Sequence, residues 1–173
     1  RCSYQMLRNT SNIIQRMGAF SSYHAEPQVV DLWERLAELL EASAIVLRPS
    51  KIQLDYQLPE DAALVRCDFS AVTAAFMNLL SNACRYAGKD GPVTVQGKVR
   101  GNMALVTISD VGAGIPQSIA EQVFTPYTSQ GKDGIPFSGL GLGLAAARQI
   151  IQEAGGTLAV NSVPGQGTKA FFT

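Results

Sequence analysis

The chain has 173 residues, of which 46% are apolar and 16% are charged, and its 14 basic side chains balance its 14 acidic ones. That length suffices for one domain with an appendage, and the apolar share suffices for a core. The balanced charge argues against nucleic acid as a partner, and the sequence shows neither a secretory signal nor an apolar run long enough to cross a membrane.

The segment before Pro27 is predicted to form a helix that needs a partner. An apolar seam recurs there at alternating steps of four and three residues, through Met6, Thr10, Ile13, Met17, Phe20 and His24. Because so short and polar a helix is unstable alone, its partner is either a second copy of itself or another part of the parent protein, and we favour a homodimer over packing against its own domain. Glu26-Pro27 ends the helix, so we place a domain boundary between residues 1–26 and 27–173.

Because the chain begins at Arg1 instead of methionine, we expect it to be part of a longer protein. That protein would be cytoplasmic, or anchored in the inner membrane through segments outside this chain. The three cysteines, Cys2, Cys67 and Cys84, match no metal-site spacing and are expected to be reduced thiols.

The domain that follows mixes helical and strand patterns. Apolar residues share one face of a helix from about Val29 to Leu47, and they alternate with polar residues in a strand from Ile52 to Leu58. Hairpins outnumber strand–helix–strand crossovers, so we predict an α+β fold, a two-layer sandwich of helices on a sheet. The remaining predicted elements are a short strand at 64–66, a helix from Asp68 or Ser70 through Tyr86 that ends at Gly88, a hairpin of strands 93–100 and 103–109 turning at Gly101-Asn102, a helical turn near 117–123, a loop at 125–138, a helix at 140–154 and a hairpin of strands 157–161 and 168–173.

Four sequence blocks between Asn78 and Ala145 describe a pocket for a nucleoside triphosphate. Each block alone is a weak signal, but the four in this fixed order are specific. They are NLLSNACRY (78–86), DVGAGIP (110–116), VFTPYTS (123–129) and GLGLGLA (139–145).

The first block places four side chains on one stripe of a helix. Asn78, Asn82, Arg85 and Tyr86 stand at positions i, i+4, i+7 and i+8, beside the apolar face, and therefore border a cleft. An amide oxygen can ligate Mg²⁺, and an arginine can contact a phosphate. The stripe therefore supplies candidate groups for the metal-bound end of the ligand.

The other blocks bring backbone to the ligand. Asp110 ends a strand, and its carboxylate can accept a hydrogen bond from an adenine amino group while Gly112 and Gly114 let the backbone approach the base. The fourth block precedes a helix, where free N–H groups bind phosphates, and it lacks the Gly-Lys-Ser/Thr of a Walker loop. The loop before that block can close over the phosphates, with Lys132 as a candidate contact.

Together these blocks resemble the catalytic, ATP-binding domain of sensor histidine kinases, in the group that also holds DNA gyrase, the ninety-kilodalton heat-shock chaperones and mismatch-repair ATPases. The resemblance covers about 27–173 and implies the Bergerat fold, a mixed sheet covered by three helices. It also implies that residues 1–26 end the dimerisation and histidine-phosphotransfer hairpin. ATP and Mg²⁺ are implied as ligands, with Asn82 binding the metal, Asn78 supporting it and Arg85 at the phosphates. The adenine base would lie against Tyr86, and its amino group would bind Asp110 beside Gly112 and Gly114. The residues implied to line the triphosphate are Gly139, Leu140, Gly141, Leu142, Gly143 and Leu144.

The implied activity is transfer of the γ-phosphate to a histidine, for relay to an aspartate of a response regulator. Asn78 stands where the hydrolases and serine kinases of the group have glutamate, and an amide cannot act as a base, which favours histidine as the acceptor. His24 lacks the family's acceptor signature, so we expect the acceptor outside this chain and no self-phosphorylation. Two alternatives stay open: a degenerate dimerisation module, because Val111 replaces a common asparagine, or a serine kinase or ATPase of the same fold.

Overall fold

The computed structural model describes residues 26–48, 51–87, 91–116, 122–124 and 143–173. In these ranges three helices pack against a five-stranded mixed sheet, and a separate two-stranded sheet pairs the first and third strands. The helices are α1 (Leu32–Leu47), α2 (Phe69–Tyr86) and α3 (Gly143–Glu153). The strands are β1 (Gln28–Asp31), β2 (Leu54–Gln57), β3 (Leu64–Cys67), β4 (Val93–Arg100), β5 (Met103–Asp110), β6 (Leu158–Val163) and β7 (Gly167–Phe172).

The main sheet has the order β2-β4-β5-β7-β6, in which β2 and β4 are parallel and all other neighbours are antiparallel. The two-residue connection between β4 and β5 places Gly101 at a φ of 59°, a left-handed conformation that suits a tight hairpin. Side chains alternate across the sheet, and the inner face of β4 and β5 presents Val93, Val95, Val106 and Ile108 to the helices. Asp110, the last residue of β5, falls on the same inner face, and this alternation directs its carboxylate under the helical layer.

The core lies between this sheet face and the helices. Leu36 and Leu40 of α1 and Phe76 of α2 have no exposed surface. Gly97 of β4 lies beneath α1, where an added Cβ would come 2.9 Å from the indole ring of Trp33, so the absence of a side chain lets the tryptophan pack on the strand. The three helices therefore form one layer and the sheet the other.

Helix α2 carries the first sequence block and is fixed at both ends. The Asp68 carboxylate accepts hydrogen bonds from the backbone N–H groups of Ser70 and Ala71, at 3.0 and 3.2 Å, and caps the first turn. At the other end the N–H of Ala87 donates to the carbonyl of Ala83. Buried residues along one stripe of α2, from Val72 to Cys84, hold it on the sheet and against α3.

The predicted fold class is confirmed, as is the mixed sheet with three helices. The helix predicted from Val29 begins three residues later, because Val29 and Val30 belong to β1 and Asp31 caps α1. The strand predicted over 52–58 is shorter, and β2 reaches β4 by a crossover through α2, so hairpins are less dominant than expected.

Several predictions lie outside the described residues. They are the N-terminal helix, the end of α2 at Gly88, most of the turn at 117–123, the loop at 125–138 and the start of the last helix before Gly143. The boundary between 26 and 27 stays a prediction. Within the described ranges no helix has the length and hydrophobicity needed to cross a bilayer.

Candidate functional site

Two of the sequence blocks meet where α2 passes the start of α3. A Cβ built on Gly143, the first residue of α3, would lie 3.9 Å from the side-chain carbonyl of Asn78 and 3.9 Å from the amide nitrogen of Asn82. The two asparagines are one helical turn apart, so both side chains point to the same place. The last glycine of the fourth block thus lies against both amides of the first block, with no side chain between them.

Asn78 is polar, only 6% exposed, and incompletely bonded. Its Nδ2 has no hydrogen-bond partner among the described residues. Buried polar atoms are almost always paired, because leaving one unpaired costs about 1–3 kcal/mol. An unpaired amide beside a glycine in the first described turn of α3 is an arrangement that a polar ligand would satisfy.

The same amides suit a magnesium ion held together with phosphates. No cluster of three or more His, Cys, Asp or Glu side chains able to hold a metal occurs in the described ranges. Magnesium is commonly bound by one or two protein oxygens, several waters and substrate phosphates, so a full protein cage is not required. Asn82 presents its amide nitrogen to Gly143 in this structure, and a half-turn of the amide about its last side-chain bond would present the oxygen as such a ligand, with Asn78 beside it.

The second block forms the other half of the site. Asp110 is 7% exposed, and its Oδ1 accepts a hydrogen bond of 2.9 Å from the N–H of Gly112. Burial raises the pKa of this carboxyl, while hydrogen bonds from the backbone N–H groups of Gly112 and Thr168 act in the opposite direction. Asp110 is therefore a buried acceptor that the fold holds in one orientation.

The glycines of the second block make room for protein backbone. A Cβ on Gly112 would overlap the carbonyl of Tyr86 at the end of α2. Gly114 has a φ of 72°, and a Cβ there would overlap the carbonyl of Val163 at the end of β6. The turn after Asp110 therefore packs tightly between α2 and the β6–β7 hairpin. This packing leaves no room for a side chain at Gly112 or Gly114, a requirement that the sequence did not reveal.

The end of α2 joins the two halves. The Arg85 guanidinium lies 5.3 Å from the centre of the Tyr86 ring, a cation–π distance, and the backbone carbonyl of Tyr86 lies against Gly112. Val111, which departs from the family pattern, is 56% exposed. More than half of its surface therefore faces solvent, whereas its neighbour Asp110 is buried.

The third block is described only at Val123 and Phe124. Phe124 packs against the core, and the Arg148 guanidinium of α3 lies over its ring at 4.7 Å. Leu144, predicted to line the triphosphate, also packs against the core. The other predicted ligand residues of this region, Lys132, Gly139, Leu140, Gly141 and Leu142, lie outside the described residues.

Sequence reasoning missed a contribution from the last hairpin. Thr168 is opposite Asp110 in the pairing of β5 with β7, and its backbone N–H reaches the Asp110 carboxylate. Gly167 is required next to it, because a Cβ there would overlap the Asp110 carbonyl. The only available signal was the Gly-Gln-Gly-Thr sequence at 165–168, which read as turn chemistry alone.

A comparison with family models matches residues 67–173 to the model described as histidine kinase-, DNA gyrase B- and HSP90-like ATPase. The sensor histidine kinase ZraS of Salmonella typhi is 32% identical over 151 residues, which cover 87% of this chain and 31% of ZraS. The adaptive-response sensory kinase SasA of Crocosphaera subtropica is 30% identical over 98% of this chain and 47% of its own length. The chain thus spans less than half the length of each of these two relatives.

Solved structures give the same result. A mycobacterial sensor histidine kinase, MprB, superposes with a TM-score of 0.67 at 28% identity, over 84% of this chain and 95% of that one. Histidine kinase ThkA in complex with the response regulator TrrA superposes with a TM-score of 0.74 over 97% of this chain and 47% of that one. At 22% identity the second likeness shows the shared fold alone.

Proposed function

Because this chain belongs to the family of histidine kinase-, DNA gyrase B- and HSP90-like ATPases, we propose that it is the ATP-binding catalytic core of a two-component sensor histidine kinase. The observation that carries the proposal is that helix α2 brings Asn78 and Asn82 against Gly143, while its last residue, Tyr86, lies against Gly112 beside Asp110. The first of these places offers side-chain amides and a glycine of α3 for a metal-bound triphosphate. The second offers a buried carboxylate for the base.

Each group has a role that follows from its chemistry. Asn82, supported by Asn78, holds Mg²⁺, which neutralises phosphate charge when bound. Arg85 contacts the phosphates, and Gly143 leaves its helix start open to them. Asp110 accepts a hydrogen bond from the adenine amino group, and Tyr86 lies against the base. These residues orient the ligand for an in-line transfer and do no covalent chemistry themselves.

The identity of residue 78 supports histidine as the acceptor. An amide cannot remove a proton from water or from a serine hydroxyl, so Asn78 offers no base for hydrolysis. A neutral imidazole needs none, because its nitrogen already carries a lone pair. We therefore propose that the γ-phosphate passes to a histidine on the dimerisation domain of the parent protein and then to an aspartate of a response regulator. The parent would be a homodimer through the segment before Pro27.

Transfer to a separate histidine domain tests this proposal. The chain is incubated with γ-labelled ATP and Mg²⁺, alone and with the parent's dimerisation domain. We expect no label on the chain itself and label on the added domain. Asn82→Ala should abolish this labelling, whereas Asn161→Ala, the same change at an exposed position of β6, should leave it intact.

Other results would point to the alternatives. Label on His24 would place the acceptor within this chain. Steady phosphate release that survives Asn78→Ala and needs no histidine domain would favour an ATPase or serine kinase. Absence of heat on titration with millimolar Mg·ATP would favour a degenerate module.

A further inference from the structure

The hydroxyl of Ser162, on edge strand β6, joins three parts of the protein. It accepts a hydrogen bond of 2.7 Å from the N–H of Ile115 and donates one of 2.9 Å to the carbonyl of Gly167. It also lies 3.0 Å from the hydroxyl oxygen of Thr168. A serine hydroxyl has one hydrogen, and Gly167 takes it, so the Thr168 hydroxyl must donate to Ser162. Every hydrogen-bonding capacity of this side chain is thus used.

Ile115 belongs to the turn that follows Asp110, where pairing of β5 with its neighbours has ended. Backbone groups beyond a strand end need other partners. In this turn the described bonds are from Ile115 to Ser162, from Gly165 to the Ala113 carbonyl at 2.7 Å, and from Gly112 to Asp110. Two of the three tie the turn to the β6–β7 hairpin, which also supplies the Thr168 N–H to Asp110.

We propose that Ser162 is a positioning residue for recognition of the nucleotide base. It fixes the turn at 111–116 against the hairpin, and the turn and hairpin together orient the Asp110 carboxylate. Ser162 itself makes no contact with ligand in this proposal. The inference rests on the proposed function, because it assigns to Ser162 the discrimination of the adenine amino group by Asp110.

The test uses two variants of Ser162 and one matched control. Ser162→Ala removes the hydroxyl, and Ser162→Thr retains it on a residue that suits a strand. Ser43→Ala is the control, because Ser43 is a buried serine whose hydroxyl likewise donates to a backbone carbonyl, that of Leu39 at 2.7 Å in α1. The dissociation constants of Mg·ATP and Mg·ITP are measured by calorimetry, since inosine triphosphate lacks the amino group. Amide exchange at Ile115 is followed by NMR without nucleotide.

We expect Ser162→Ala to weaken ATP binding about fivefold, the equivalent of one hydrogen bond of ~1 kcal/mol, and to leave ITP binding unchanged. The preference for ATP over ITP therefore shrinks by the same factor, and the Ile115 amide exchanges faster. Ser162→Thr, which keeps the hydroxyl, should retain the wild-type preference for ATP over ITP. Ser43→Ala lowers the melting temperature without changing the preference.

Three results would overturn the inference alone: an unchanged preference in Ser162→Ala, equal losses for ATP and ITP, or the same change in Ser43→Ala. Wild-type chain that binds neither nucleotide would overturn the proposed function and this role of Ser162 together. The two failures are distinguishable, because the first kind requires a wild-type chain that binds.

Discussion

Asp110→Asn separates the contribution of Asp110 to ligand binding from its effect on the fold. The change replaces one carboxylate oxygen by an amino group of nearly the same size. A hydrogen bond to a charged group is worth about 1.5–3 kcal/mol, so its loss weakens Mg·ATP binding by about ten- to a hundredfold. The bond to the Gly112 N–H survives, because the asparagine oxygen can still accept it, and the second lone pair of that oxygen can accept the Thr168 N–H.

The same change does not destabilise the folded chain. Burial raises the pKa of Asp110, so the folded protein keeps a proton on this carboxyl more readily than the unfolded chain. The stability of the wild type therefore falls as pH rises through the interval between the two pKa values, and above it the ionised group carries a constant cost. Asparagine lacks that cost. We expect the melting temperature of Asp110→Asn at neutral pH to equal or exceed that of the wild type. The difference should shrink as pH falls through the folded pKa and vanish below the unfolded pKa.

Calorimetry with Mg·ATP and Mg·ITP, together with thermal unfolding at several pH values, measures both effects. The control is Asp55→Asn, because Asp55 is an exposed carboxylate on β2 that accepts a hydrogen bond from Gln53. It should alter neither affinity nor the ATP preference. Wild-type affinity in Asp110→Asn, or a loss of affinity accompanied by a lower melting temperature, would refute the reasoning.

Three further predictions follow from individual positions. Gly143→Ala should fold normally, since its Cβ clears Asn78 and Asn82 at 3.9 Å. The added methyl group would crowd the phosphates at a free-energy cost of about 1–3 kcal/mol, so calorimetry should show Mg·ATP binding weakened about tenfold or more. Unchanged affinity would exclude Gly143 from the site. Val111→Asn should change the affinity for Mg·ATP by less than about twofold, because Val111 is 56% exposed. A larger gain in affinity would support the alternative that this chain is a degenerate module with a weakened site. Burial raises the pKa of Cys84 to about 12, so at pH 8 its thiol should be alkylated only when the chain unfolds. Peptide mass spectrometry measures the alkylation, and rapid labelling of the folded chain would contradict the described packing.

The elements that the sequence predicted well are those fixed by local chemistry. Helix α2 has a capping aspartate directly before an amphipathic run, and both features act within a few residues. The β4–β5 hairpin has strong alternation on both sides of Gly101-Asn102, a turn whose twist matches the strands. In each case the residues that decide the structure are adjacent in the chain.

The start of α1 depends instead on a distant segment. Val29 and Val30 continue the apolar pattern of the helix, but they pair with Arg66 and Val65 of β3. The Asp31 carboxylate then accepts from the N–H of Trp33 at 3.1 Å and, from the β3 side, from the N–H of Ala63 at 3.2 Å. Pairing between segments so far apart in the chain depends on tertiary contacts, so the helical periodicity of the sequence alone cannot show where α1 begins.

The residues of the site also fall into two groups: those whose substitution would disturb the packing of the backbone, and those that can be changed in a chain that still folds. Gly112 and Gly114 look like ligand-facing glycines, yet a side chain at either would overlap backbone of Tyr86 or Val163. Any substitution there damages fold and binding together and cannot separate them. Asp110 and Gly143 can each be changed without a clash, and Ser162 acts on Ile115 from 47 positions away in the chain. Because these three positions can report on binding in a chain that still folds, they are where the proposed nucleotide site can be shown to be wrong.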